Sequence, residues 1–154
     1  MLHVKPFREK PSFCGPASLK MVLRYFGINK SEDELARMSG HKVSIGVEAE
    51  GLLAAAKKLG MKGFIKDFST VKDIKTYVLN EKIPVIVDWF SQDEGHYSVV
   101  VGIKKNKIFL LDPRKGKVRK INIDTFTRVW FDFPGKYIDS KANLDVRRMI
   151  VIWK

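Results

Sequence analysis

Cys14 stands directly ahead of an apolar, helix-forming stretch, CGPASLKMVLRYFG, in which Gly15 permits close backbone approach and Pro16 suits a first helical turn. The unpaired N–H groups and positive dipole end of such a helix favour a thiolate. The placement therefore predicts a lowered thiol pKa and a usable nucleophile. The plainer reading is a buried Cys that acts as a small hydrophobe. His96 opens HYSVVVGI after the polar loop 91–95. An imidazole held there at a sheet end could take a thiol proton and return it to a leaving amine. Asp112 closes IFLLD sixteen residues further on, where an adjacent antiparallel strand would set it beside His96. A carboxylate so placed fixes one imidazole tautomer and stabilises its cation. Taken singly, His96 also reads as a structural strand-end residue and Asp112-Pro113 as a turn opening. Together the three suggest attack by a thiol on a carbonyl.

The elements that would have to position them follow from hydrophobic periodicity. In 14–27 the apolar residues surround nearly the whole helical circumference, which predicts a buried central helix stopped by Gly27. Ser31 and Glu34 have capping-box spacing ahead of a short helix over about 32–38. A third helix runs from about Val47 to Leu59, and Thr70 with Asp73 opens a fourth through Ile74, Tyr77 and Val78. After Pro84 the pattern changes to PVIVDWF, HYSVVVGI, KIFLLD, KVRKINI and MIVIW, short runs of β-branched and aromatic residues. Lys105-Asn106 reads as a tight hairpin, and Asp124 as the cap of a brief helical turn through Phe126 and Trp130. Helices followed by an antiparallel sheet give an α+β fold, with residues 1–154 forming one domain and no internal repeat or linker.

Composition narrows the classes further. A chain of 154 residues, 45% hydrophobic and 30% charged, is neither coiled coil, collagen nor disordered tail. Its single Cys excludes an internal disulfide framework. No apolar run approaches the roughly 20 residues that cross a bilayer, and residues 1–10 contain no signal-peptide core. Both facts, with the free thiol, favour the cytoplasm. His3, His41 and His96 share no metal-ligand spacing with one another or with Cys14, and no phosphate-binding glycine loop occurs, so neither metal nor cofactor is expected. The net charge of +12 biases encounters toward anionic partners, and hence toward acidic or neutral peptides. Residues 104–120 carry eight Lys and Arg against the single Asp112. Phosphate or nucleic-acid contact is one reading of that run, and a Lys-guarded hairpin edge is the plainer one. Trp89, Phe90, Trp130, Phe131 and Phe133 could line a groove or fill the core.

CGPASLKMVLRYFG resembles the nucleophile helix of the bacteriocin-processing, or double-glycine, cysteine peptidases, family 39 of the papain-like clan. GHYSVVVGI and IFLLDP resemble that family's second block, in which a His begins one hydrophobic strand and an Asp-Pro ends the next. The resemblance implies a papain-like fold with Cys14, His96 and Asp112 as catalytic residues and a peptide or protein substrate. One departure stands out. The family places a Gln about six residues ahead of the Cys to donate to the oxyanion, whereas here Arg8 is six back and Glu9 five back. Arg8 has donors and positive charge; Glu9 would repel an oxyanion unless protonated; Gln92 offers an amide near His96 in sequence. Loss of one oxyanion donor typically costs about 10²–10³ in rate. The expectation is a cysteine peptidase, and the alternative a weak or inactive peptidase-like domain that binds a peptide or protein partner.

Overall fold

The computed structural model describes residues 1–43, 46–92 and 94–154. The chain opens with an extended segment that leads into α1 (Cys14–Tyr25), followed by α2 (Glu32–Ser39) and α3 (Ala49–Lys58). The Ser31 side chain accepts from the Glu34 N–H, as the capping spacing requires, and Gly27 and Gly40 follow their helices in left-handed backbone. Strand β1 (Lys62–Lys66) precedes α4 (Val71–Lys75), which continues as a π-helical turn over Thr76–Asn80. Thr70 and Asp73 form the reciprocal capping box that starts α4.

The second half supplies β2 (Val85–Ser91), β3 (Glu94–Lys104), β4 (Lys107–Asp112) and β5 (Lys117–Asn122), then α5 (Ile123–Val129). Two short strands, β6 (Phe131–Asp132) and β7 (Asp145–Val146), pair with each other before β8 (Arg148–Trp153). Six strands make one antiparallel sheet in the order β1-β8-β2-β3-β4-β5. The fold is α+β, with the central helix on the sheet. Asp124 does not cap α5: Asn122 does, its side chain accepting from the Asp124 N–H. β1 has no counterpart among the expected strands, because KGFIK is a short edge strand bounded by lysines and shows no sustained alternation.

Both faces of the sheet are covered, which is why PVIVDWF reads as a nearly continuous apolar run. Leu19, Val22 and Leu23 of α1 join Leu52 of α3 against Ile86, Tyr97, Val99 and Ile150. On the opposite face Ile74, Val78, Phe126 and Trp130 pack against Val85, Val87, Trp89 and Val100. Eight of the twelve residues of α1 are buried. At roughly 1.5–3 kcal/mol for each large apolar side chain removed from water, this burial fixes the helix axis against β3. The first turn of α1 is thereby brought to the end of the sheet where β3 begins. A Cβ on Gly15 would collide with Val47, so close approach there requires glycine.

Candidate active site

Cys14 is the first residue of α1, with Phe13 in the capping position and no side chain closing the helix end. Pro16 has no N–H, so the N–H groups of Cys14 and Gly15 are the ones this first turn leaves without an intrahelical partner. His96 lies in the third position of β3 and is 1% exposed. Its Nε2 is 2.6 Å from Oδ1 of Asp112, which ends β4 and is also buried. Cys14 Sγ, a His96 ring nitrogen and a Glu9 carboxylate oxygen all lie within 4.8 Å of one another. With Nε2 occupied by Asp112, the buried Nδ1, which has no hydrogen-bond partner among the described residues, is the nitrogen left for the thiol.

Asp112 is held by more than the imidazole. Its Oδ1 accepts from the Arg114 N–H at 2.9 Å, and Arg119 Nη1 donates to its Oδ2 at 3.0 Å. Burial works to raise the Asp112 carboxyl, but His96, Arg119 and the Arg114 amide outweigh it and hold it down to about 2. An ionised Asp112 requires the proton on Nε2, which leaves the Nδ1 lone pair free as a base. Arg119 also reaches Ser91 Oγ and lies 5.3 Å from the Trp89 ring. Sequence reasoning counted Arg119 only as part of a basic run. Its position two residues beyond Lys117, the register partner of Asp112, was the available signal.

The thiol departs from expectation. Burial pushes Cys14 up to about 12, and the Tyr97 N–H that bonds the sulfur offsets this only in part, while Glu9 and Asp88 add to the rise. Cys14 is half-buried in the cleft wall, and its desolvation exceeds the stabilisation that a helix end supplies. The resting group is therefore a neutral thiol.

Among the oxyanion candidates, Glu9 reaches the Cys14–His96 cluster. Its N–H donates to the Pro113 carbonyl at 2.8 Å, which ties its loop to the turn beyond Asp112. The same loop is fastened from the other side by the Lys10 N–H to Glu32 and by His41 Nε2 against the Ser12 carbonyl. Glu9 Oε1 is buried without a hydrogen-bond partner among the described residues, and burial raises the carboxyl despite opposing influences of His96 and Arg114. Arg8 is exposed at the cleft rim beside Gly116, and Gln92 is exposed in the turn after β2, outside the cleft lining. Asp93 of the expected polar loop lies outside the described residues. Glu9, Cys14 and His96 are also the three donors that could share a divalent cation among the described residues, a grouping invisible in linear spacing.

The cleft in front of Cys14 has a volume of about 1500 Å³, room for several peptide residues. Seven carboxyl groups and four basic side chains line it. The excess of acid contradicts the expectation that overall charge would draw acidic peptides into the site. Net charge sums the whole surface, and much of the basic excess sits elsewhere, including the lysines of the edge strand β5. Among the described residues no helix is long and apolar enough to cross a membrane.

The sequence profile of the Peptidase C39 family matches residues 7–133. An uncharacterized protein of Methanothermobacter marburgensis is 32% identical over 117 residues, covering 76% of this chain and 75% of that one. The lactococcin-G-processing and transport ATP-binding protein LagD of Lactococcus lactis is 29% identical over 125 residues, 80% of this chain but 17% of the transporter. In three dimensions the chain is similar to the peptidase domain of Streptococcus ComA, a bifunctional ABC transporter involved in quorum sensing. The TM-score is 0.75 at 25% identity, over 97% of this chain and 98% of that domain.

Proposed function

The chain belongs to the peptidase C39 family, and from that premise we propose that it hydrolyses a peptide bond, with Cys14 as nucleophile, His96 as proton shuttle and Asp112 as the group that orients His96. The observation that carries the reading is the convergence of the Cys14 thiol on a His96 ring nitrogen, while Nε2 of the same ring rests on Asp112. The Sγ proton passes to Nδ1 as sulfur bonds to the carbonyl carbon. Because the resting thiol is neutral, the imidazolium is created during attack, and Asp112 stabilises it at that moment. The oxyanion sits against the free N–H groups of α1 and, in its acid form, Glu9. The imidazolium then gives its proton to the departing amine as the C–N bond breaks. Water, deprotonated by Nδ1, cleaves the thioester and regenerates the thiol.

By analogy with relatives that process peptides for export, the substrate class is a precursor peptide, and the probe is a synthetic peptide with a double-glycine site. Cleavage detected by mass spectrometry, and lost in Cys14→Ala, is the expected result. No cleavage of any peptide by the wild type overturns hydrolysis.

A second reading, a domain that binds peptides without turnover, is favoured by one observation: the group that meets the thiol and the imidazole from the preceding loop is the Glu9 carboxyl, and no Gln precedes Cys14. Activity that appears only in Glu9→Gln would establish it.

A further inference from the structure

We propose that Asp88 and Asp132 form a subsite of the cleft for a cationic side chain, lysine or arginine, of the bound peptide. The inference rests on the reading of this cleft as a peptide site. Asp88 lies in β2, where its alternation partner Ile86 contributes to the core beneath α1, so a carboxyl occupies a position the pattern reserves for a hydrophobe. It is 4% exposed, lines the cleft, and its Oδ1 has no hydrogen-bond partner among the described residues. A buried carboxylate oxygen without a donor costs on the order of 1–3 kcal/mol, so the site is incomplete as it stands.

Asp132 joins Asp88 from β6, across the opening strand residues of β3. Its carboxylate occupies the space that a side chain on Gly95 would fill, so glycine at 95 keeps the Asp132 carboxylate within the cleft. Asp88 is the register partner of Tyr97, whose N–H bonds the Cys14 sulfur, and the Asp88 charge is felt at that thiol.

The cations nearby are already engaged. Arg148 gives its Nε and Nη2 to Asp67 at 2.7 and 2.9 Å and meets Asp145 at 3.2 Å. Arg114 is paired with Glu94, and Arg8 and Lys42 are exposed at the rim. Arg148 is the register partner of Asp88 and its charge works to lower both carboxyls, but its donors go to Asp67 and Asp145, and among the described residues no cation is hydrogen-bonded to Asp88 or Asp132. Burial first, and then each other's presence, pushes Asp88 well up, and burial likewise raises Asp132. The empty pair keeps a proton in place of the missing charge. A guanidinium or ammonium entering from the cleft would displace that proton and satisfy Oδ1 with a charge-assisted bond.

The experiment uses the full chain as Cys14→Ala, which holds peptide without cleaving it, and fluorescent hexapeptides that carry arginine at one position at a time. Each is matched by a peptide with citrulline, the neutral isostere, at the same position. Fluorescence anisotropy at low salt should show arginine binding at least tenfold tighter than citrulline at one or two positions. Asp88→Asn, and separately Asp132→Asn, should abolish that ratio while leaving citrulline peptides bound as before. Equal binding of the two series, or a ratio that survives both substitutions, overturns the subsite and leaves the peptidase reading standing. Equal weakening of both series by Asp88→Asn assigns Oδ1 to a substrate backbone amide and overturns a cation subsite. Failure to bind or cleave any peptide overturns the peptidase reading, and the subsite with it.

Discussion

His96 Nε2 and Asp112 Oδ1 are 2.6 Å apart, both side chains buried, in a pairing that joins the start of β3 to the end of β4. The pairing commits the ring to one tautomer and presents the other nitrogen to Cys14. Asp112→Asn keeps size and fold but removes the charge that stabilises the imidazolium. Peptide turnover should fall, with the roughly 10⁴ of the serine-peptidase case as the upper bound. Equal turnover at unchanged circular dichroism would remove Asp112 from the mechanism.

Cys14 should alkylate slowly at neutral pH. With the thiol pushed up to about 12 by burial, the iodoacetamide rate should still be climbing above pH 9, with no plateau below it. A midpoint at or below the free-cysteine value of about 8.5 would show that the helix end prevails over desolvation. The sign for stability follows: a raised folded pKa favours the protonated form, so Cys14 lowers stability as pH rises from the model-compound value of 9.0 toward about 12. Urea midpoints of wild type and Cys14→Ala should diverge across that interval in the mutant's favour.

In the proposed mechanism Glu9 serves as a donor only while protonated. Its carboxyl is raised by burial, so turnover should decline as pH rises through that elevated value. Glu9→Gln should abolish this decline, and Glu9→Ala should lose about 10²–10³ at pH values where Glu9 is protonated, the usual cost of one oxyanion donor, and little where it is ionised. Arg8→Ala, at the exposed rim, should leave turnover unchanged. An identical pH profile in wild type and Glu9→Gln would deny Glu9 the role.

Arg119→Met removes one of the groups holding Asp112 down to about 2. A depressed carboxyl contributes stability that is present above its unfolded value near 4 and lost as pH falls toward its folded one. The substitution raises the folded value and shrinks that contribution, by about 1 kcal/mol for a partly exposed charged bond. Urea unfolding at pH 6 and pH 2.5 should show the mutant's deficit at the first and little of it at the second. A deficit independent of pH would assign Arg119 a packing role against Trp89 instead.

Gly95→Ala places a methyl where the Asp132 carboxylate lies. It should destabilise the protein by about 1–3 kcal/mol, the usual cost of overpacking, measurable as a lowered thermal midpoint. A Gly95→Ala/Asp132→Ala double variant should regain part of the loss.

The elements were legible where local patterns are strong. The all-round apolar surface of α1 announced a buried helix, and the Ser31 and Thr70 caps sit as their spacing implied. β1 and the β6–β7 pair escaped because five- and two-residue strands take their identity from the partner they meet rather than from their own periodicity. The Asn122 cap, two residues ahead of the expected Asp124, escaped because both residues have capping side chains and only the backbone path selects between them.

The sequence by itself determined the order and type of the main elements and singled out Cys14, His96 and Asp112, since helix ends, strand ends and motifs are local. The tertiary structure alone decided that Glu9 meets the thiol and the imidazole, that Arg119 backs Asp112, and that seven carboxyl groups against four basic side chains line the cleft of a basic protein. It also decided the state of the thiol. Ionisation depends on how much water is stripped from a group and which charges face it through space, and neither quantity is written in the spacing of residues along a chain.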